Sequence, residues 1–228
     1  MLFDDVRRLL AVVPDRLPAT PRELVPVVLS GPAGMPVAAQ FPDARRRAAV
    51  LLLIHAAPGG EARIVLTQRS PGDHRHAGQI SLPGGAIEPG ESAVDAALRE
   101  AAEEVGLDRQ QAGVDVAGVL PEIDVRVSGF IVQPVIVFAA RPPRLVPDGF
   151  EVAAIVDAPL AAFLPGAPIE IVTEARDGYR LRYGAFPVAG HLVWGATAML
   201  MARLGAFLSA PASSSTTARP RTSRTRRA

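Results

Sequence analysis

The sequence predicts a mixed α/β fold, and three observations carry that expectation. Short apolar runs that read as strands precede one well-punctuated helix. More strand-like runs follow it. An apolar segment of helical length closes the patterned region. Strand and helix do not alternate regularly enough for a doubly wound sheet.

The elements follow in chain order. Phe3 to Val13 reads as a short amphipathic helix, with Val6, Leu9, Leu10 and Val13 on one face and Pro14 ending it. Residues 14–47 are rich in proline and glycine and read as an irregular arm. Ala48 to His55 and Arg63 to Gln68 are strand-like, and Ala57-Pro58-Gly59-Gly60 between them signals a hairpin. Ser70 to Gly85 reads as a loop, and Ser92 to Val105 as the clearest helix. Val114 to Leu120 and Ile131 to Ala139 are further strands, and Pro142-Pro143 breaks the chain after them. Glu151 to Phe163 reads as a strand and a helical turn. Ile169 to Thr173 and Tyr179 to Tyr183 read as a hairpin turning at Asp177-Gly178, and His191 to Phe207 as a terminal helix.

Composition narrows the chemistry. Of 228 residues, 49% are hydrophobic and 21% charged, a globular balance. The absence of cysteine excludes disulfides, thiolate metal sites and cysteine nucleophiles. Every basic side chain other than histidine is arginine, which reads as the codon bias of a GC-rich genome and excludes a Schiff-base lysine. The net charge is +1, yet residues 209–228 alone carry five arginines and no acid, so the body before them is acidic. An acidic body argues against nucleic acid as a partner. The N-terminus has no signal-peptide pattern, and the apolar run Leu192 to Leu208 is short for a span and broken by Arg203. No membrane association is expected, and the cytoplasm is the expected compartment.

The segment from Gly84 to Leu107 carries the chemistry. Ser92 can cap the helix with Asp95 completing a capping box, and Gly106 suits a left-handed C-terminal residue. Val94, Ala97, Leu98, Ala101 and Val105 form an apolar stripe. Glu100, Glu103 and Glu104 recur at i, i+3 and i+4 on a different face. Taken alone, that triad is either a solvated acidic face or an oxygen-ligand site for a hard divalent cation.

The spacing around the helix decides between these. Gly85, five residues, Glu91, seven residues, Arg99-Glu100, two residues, Glu103-Glu104, one residue and Gly106-Leu107 resemble the Nudix hydrolase box at every fixed position over 23 residues. The resemblance implies a loop–helix–loop motif on an α/β/α sandwich with a mixed sheet. It also implies metal-dependent hydrolysis of a nucleoside diphosphate linked to another moiety. Carried over residue by residue, Glu100, Glu103 and Glu104 are the catalytic, Mg²⁺- or Mn²⁺-binding carboxylates, with the Gly85 carbonyl as a further ligand. Glu91, Arg99 and Gly106 brace the motif. The base is Glu100 or Glu104, or comes from outside the box, where Glu122, Asp124 and Glu151 are unranked candidates.

The preceding loop narrows the substrate. Leu66-Thr67-Gln68-Arg69-Ser70 followed by Gly78 and Pro83-Gly84-Gly85 is similar to the motif of coenzyme A pyrophosphatases. Two positions depart from that motif: His74 stands where it has arginine, with Arg75 adjacent, and Leu82 stands for phenylalanine. Ser128-Gly129 with Pro134-Val135, and Trp194-Gly195-Ala196-Thr197-Ala198, resemble other segments of that subfamily. The resemblance implies coenzyme A or a derivative as substrate, with 4′-phosphopantetheine and adenosine 3′,5′-bisphosphate as products. Arg69, Ser70, His74 and Arg75 are the substrate-binding candidates, because arginine grips phosphate with paired hydrogen bonds. Competing readings are a Nudix diphosphatase for ADP-ribose, NADH or a nucleoside triphosphate, and a non-catalytic Nudix binding module. The expected organisation is a helix and arm over 1–44, the hydrolase domain over 45–208 and a disordered tail over 209–228. A small-molecule nucleotide is the expected partner, and a homodimer is left open.

Overall fold

A computed structural model of the chain describes residues 1–31, 46–71, 78–125, 129–176 and 178–210. Its centre is an eight-stranded mixed sheet. Strand β2 (Arg46–Ala56) runs parallel to β8 (Phe130–Ala139) over ten paired positions, from Arg46↔Phe130 to His55↔Ala139. The remaining pairings in this sheet are antiparallel. They place β3 (Ala62–Arg69) against β2, β9 (Val152–Pro159) against β3, and β6 (Val114–Val119) and β7 (Ile123–Val125) against β8.

The run Leu51-Leu52-Leu53-Ile54 is fully buried because both faces of the sheet are covered. Successive side chains alternate between two cores. Leu51 and Leu53 pack with Ala97, Leu98, Ala101 and Val105 of helix α2 (Ala93–Val105). Leu52 and Ile54 pack with Leu10 beside helix α1 (Phe3–Leu9), and with Met201 and Leu204 of helix α4 (Gly195–Leu208). Helices on both sides of a mixed sheet give the α/β/α arrangement expected from the sequence.

The strands β2 and β3 splay apart, and this fork positions the site. They pair only near the hairpin, at Ile54↔Ile64 to Ala56↔Ala62. Beyond that, β4 (Ile80–Ser81) lies on β3, and β5 (Gly84–Ala86) lies on β2. The expected loop over 70–85 therefore contains two short strands, which fill the gap that the splayed strands leave.

Other boundaries also differ from expectation. Helix α1 ends at Leu9, four residues early, although Val13 still packs on the core. The arm contains a 3₁₀ turn (Arg22–Leu24) and strand β1 (Val27–Ser30). Strands β10 (Glu170–Arg176) and β11 (Tyr179–Val188) form the expected hairpin, and β1 pairs with β11 to extend it. The terminal helix begins at Gly195, not His191. His191–Val193 is instead strand β12, paired with β11 from Phe186↔Val193 to Val188↔His191, and Trp194 is extended. A one-turn helix α3 (Arg109–Ala112) and strand β7 were not expected. Residues Asp177 and 211–228, including the arginine-rich tail, lie outside the described residues. No helix among the described residues is long and apolar enough to cross a membrane.

Candidate active site

Helix α2 starts and stops as its end residues dictate. The Ser92 hydroxyl accepts from the Asp95 N–H (3.1 Å), and Gly106 closes the helix at φ +64°. The box closes differently from expectation, since the Ser92 hydroxyl donates to the Asp95 carboxylate (2.6 Å). A left-handed C-terminal residue favours glycine because a β-carbon is strained there.

The helical period also grades the three glutamates by depth. At about 100° per residue, Glu104 lies roughly 20° from Ala97 at the edge of the apolar stripe, Glu100 roughly 60° away, and Glu103 roughly 120° away. Burial follows that order: Glu104 is 5% exposed, the Glu100 side chain 17% and the Glu103 side chain 60%. Glu104 therefore faces the core edge, whereas the sequence had set all three carboxylates apart from the apolar face.

Glu104 Oε2 accepts from the Gly84 N–H (3.0 Å). Burial pushes its carboxyl up to about 7. The Gly84 bond works against that shift, the Glu100 charge adds to it, Arg69 opposes it, and Glu151 adds to it. Burial also raises Glu100, against the pull of Arg99 and with a push from Glu103 and Glu151.

Arg99 gathers the remaining carboxylates. Its Nε and Nη2 donate to the two Glu91 oxygens (2.9 and 3.1 Å). Its Nη1 donates to Glu100 (3.0 Å) and Glu103 (3.2 Å), and Nη2 also reaches the Ala86 carbonyl (3.1 Å). The Arg99 guanidinium and the Glu88 N–H hold the Glu91 carboxyl below its usual range. Glu91 and Arg99 thus tie the loop Ala86–Glu91 to the helix. Gly85 sits where a β-carbon would collide with the Glu100 carboxylate, so glycine there lets the carboxylate lie against the backbone.

The segment after β8 closes over the end of α2. Val146 and Asp148 donate their N–H groups to the carbonyls of Val105 and Glu104 (both 3.0 Å). The Asp148 carboxylate in turn accepts from the N–H groups of Phe150, Glu151 and Val152. The Glu151 carbonyl accepts from the Ser70 N–H (2.9 Å). Glu151 is the one off-box candidate whose charge acts on both Glu100 and Glu104. Glu122 instead forms an ion pair with Arg47. The charge of Arg69 reaches Glu104, and the buried Ser70 hydroxyl has no hydrogen-bond partner among the described residues. His74 and Arg75 lie outside the described residues.

Among the described residues, no three carboxylate or imidazole groups converge closely enough to hold a metal ion as they stand. The cause is local: Arg99 occupies Glu100 and Glu103, and Glu104 is turned to Gly84. The donor set nonetheless fits a hard divalent cation. Every donor is oxygen, and the two deeper carboxylates are destabilised as anions by burial, which a cation would offset.

The NUDIX domain profile matches residues 45–158, from β2 through most of β9. The chain belongs to the Nudix hydrolase family. It is 37% identical over 163 residues to the uncharacterized Nudix hydrolase NudL of Salmonella paratyphi B, covering 70% of this chain and 81% of that protein. The same figures hold for NudL of Salmonella newport. The crystal structure of RenU, a Nudix hydrolase from M. smegmatis, is 33% identical with a TM-score of 0.45, over 52% of this chain and 73% of that one. As a Nudix hydrolase, the chain acts on a nucleoside diphosphate linked to another moiety.

Proposed function

We propose that this Nudix hydrolase cuts the diphosphate of coenzyme A or one of its derivatives, with Mg²⁺ or Mn²⁺, to give 4′-phosphopantetheine and adenosine 3′,5′-bisphosphate. The observation that carries the reading is the position of Arg69-Ser70. The strand that bears the coenzyme A-like Leu-Thr-x-Arg-Ser run ends beside the buried Glu104, with the Arg69 charge acting on that carboxylate.

Each residue then has a task. Glu100, Glu103 and Glu104, with the Gly85 carbonyl, would hold the cation in place of the Arg99 contacts of the first two. A cation held there would supply charge to neutralise the diphosphate and would lower the pKa of a coordinated water. Arg69 grips a phosphate oxygen pair, and the Ser70 hydroxyl gains there the partner it lacks among the described residues. Arg75 and His74, outside the described residues, are the sequence candidates for the additional 3′-phosphate. Glu91, Arg99 and Gly106 fix the loop and helix ends, so the carboxylates stay in register. Glu151 accepts the proton of the attacking water, because its charge lies against Glu100 and Glu104 while Glu122 is engaged with Arg47.

His74 favours a second reading, since it stands where the coenzyme A pattern has arginine and carries less fixed charge. That reading is a diphosphatase for ADP-ribose, NADH or a nucleoside triphosphate. A panel of coenzyme A, acetyl-coenzyme A, ADP-ribose, NADH and dGTP, each with Mg²⁺ and with Mn²⁺, separates the two. Adenosine 3′,5′-bisphosphate released fastest from a coenzyme A substrate supports the first. Inert coenzyme A beside rapid cleavage of another diphosphate establishes the second.

A further inference from the structure

A cavity of about 560 Å³ borders the start of α2, with Arg47, Ile87, Glu88, Pro89, Ala93 and Gln133 among its walls. Its volume is in the range of small-molecule sites. The sheet aims two polar side chains into it. Side chains alternate along a strand, so Arg47 shares the face of Ala49 and Leu51, while Gln133, paired with Ala49, shares the face of Val135. Ala49, Leu51 and Val135 belong to the core under α2. Arg47 and Gln133 continue those rows to the cavity. Ile87 and Ala93 pack partly on the same core and give the cavity an apolar floor.

Strand β5 and the residue after it join the cavity to the carboxylates step by step. The Gly84 N–H donates to Glu104, Gly85 lies against Glu100, and the Ala86 carbonyl accepts from Arg99. The Ile87 N–H donates to the Arg47 carbonyl (3.0 Å). Gly85 and Ile87 are at most about 7 Å apart along the chain. Glu91 is a wall of the cavity and also binds Arg99, whose other side holds Glu100.

The charges around the cavity disfavour phosphate. Arg47 is paired with Glu122, Arg99 faces Glu91, Glu100 and Glu103, and Glu88 adds a further acid. A phosphate there meets carboxylates and no uncompensated guanidinium. The walls suit a neutral chain instead. The Gln133 side-chain carbonyl accepts from Arg47 (3.3 Å), and its N–H₂ group makes no hydrogen bond among the described residues. That group offers two donors to a carbonyl, beside an apolar floor.

We propose that this cavity takes the uncharged, amide-bearing chain on the far side of the diphosphate from the nucleoside, with the Gln133 N–H₂ donating to an amide carbonyl of that chain. The proposal rests on the coenzyme A reading above, in which the chain is pantetheine, with its amides, its branched dimethyl carbon and no charge.

The experiment is calorimetric titration of the full chain with 4′-phosphopantetheine and, separately, with adenosine 3′,5′-bisphosphate, for wild type, Gln133→Leu and Gln133→Glu. Neither ligand has a diphosphate to cut, so Mg²⁺ is present throughout. Leucine removes the amide at similar size, and glutamate keeps an acceptor for Arg47 but loses the N–H₂. Both variants are expected to bind 4′-phosphopantetheine roughly fivefold more weakly, the scale of one lost hydrogen bond, and to raise KM for coenzyme A by a similar factor with kcat little changed. Binding of the bisphosphate is expected to stay at the wild-type level, which also shows that the variants are folded. Unchanged affinity for 4′-phosphopantetheine in either variant overturns the assignment, and so does an equal loss of affinity for the bisphosphate. If wild type cleaves another diphosphate but no coenzyme A substrate, the coenzyme A reading has failed and the pantetheine assignment with it. If coenzyme A is cleaved and both Gln133 variants bind 4′-phosphopantetheine as wild type does, only the cavity assignment has failed.

Discussion

Metal-free protein should lose stability as pH rises through neutrality, with Glu104 as the main cause and the raised Glu100 acting in the same direction. The Glu104 carboxyl is pushed from the ordinary 4.5 up to about 7 by burial beside α2's apolar stripe. A raised carboxyl pKa means that the folded state binds the proton more tightly than the unfolded chain. The stabilisation is therefore complete below pH 4.5 and vanishes as pH climbs past 7. At 1.36 kcal/mol per pH unit, the full span is worth about 3 kcal/mol, of which about 2 kcal/mol is lost between pH 5.5 and 8. For a chain of this size that is roughly 4–8 °C in Tm. The lowered carboxyls of Asp148 and Asp157 act with the opposite sign, but they titrate below this window. The assay is thermal unfolding in EDTA at pH 5.5 and 8, for wild type and Glu104→Gln. Glutamine keeps an acceptor for the Gly84 N–H and has no proton to lose. The wild-type Tm should fall relative to the variant across this range, and saturating Mg²⁺ should remove the fall by favouring the anion. A wild-type minus variant difference that stays flat from pH 5.5 to 8 would refute the reasoning.

Three further predictions concern turnover. Glu100→Gln should lower kcat on the order of 100-fold or more with the thermal transition retained; near wild-type activity would remove Glu100 from the metal set. Gly85→Ala should cost a comparable factor, because the added methyl displaces the Glu100 carboxylate and such misplacement is expensive; unchanged kcat would mean that the carboxylate moves away in the working enzyme. Among the off-box acids, Glu151→Gln should lower kcat roughly 100-fold and Glu122→Gln by no more than about twofold; the reverse order would move the base to β7's approach.

Much of this could be read from local pattern. The helix from Ser92 to Gly106 declares its ends through a hydroxyl cap and a left-handed glycine, and both stand where expected. The run at Leu51 to Ile54 announces a strand covered on both faces. The depth order of the glutamates was also present in the 100° period, had Glu104 been placed against Ala97. What escaped the sequence is set by distant pairing. His191–Val193 carries no helix-breaking residue of its own and becomes a strand because β11 offers it an edge. Ile80–Ser81 and Gly84–Ala86 look like loop until β2 and β3 splay and leave backbone groups to satisfy. Glu151 could not be ranked above Glu122 from sequence, because its approach to α2 depends on Asp148 capping a turn whose own N–H binds the end of that helix.

The same geometry explains why the box carboxylates do not converge among the described residues. Three of the box carboxylates, Glu91, Glu100 and Glu103, share one guanidinium, so their mutual repulsion is compensated by Arg99. Glu104 is outside that arrangement: its carboxylate accepts from the Gly84 N–H, and its helical position holds it at the core edge. It therefore bears its cost of burial without help from Arg99, and that cost falls on the charged form. A divalent ion held by Glu104 and Glu100 would relieve the burial penalty of both, while Arg99 could retain Glu91 through its two paired bonds and still hold the loop. On the proposed function, cation binding and the motif's bracing would be separable: Glu91 would keep Arg99 in place, and Glu100 and Glu103 would be the partners Arg99 gives up. The burial penalty at Glu104 would then favour a small, doubly charged ion on a carboxylate face that is otherwise repulsive.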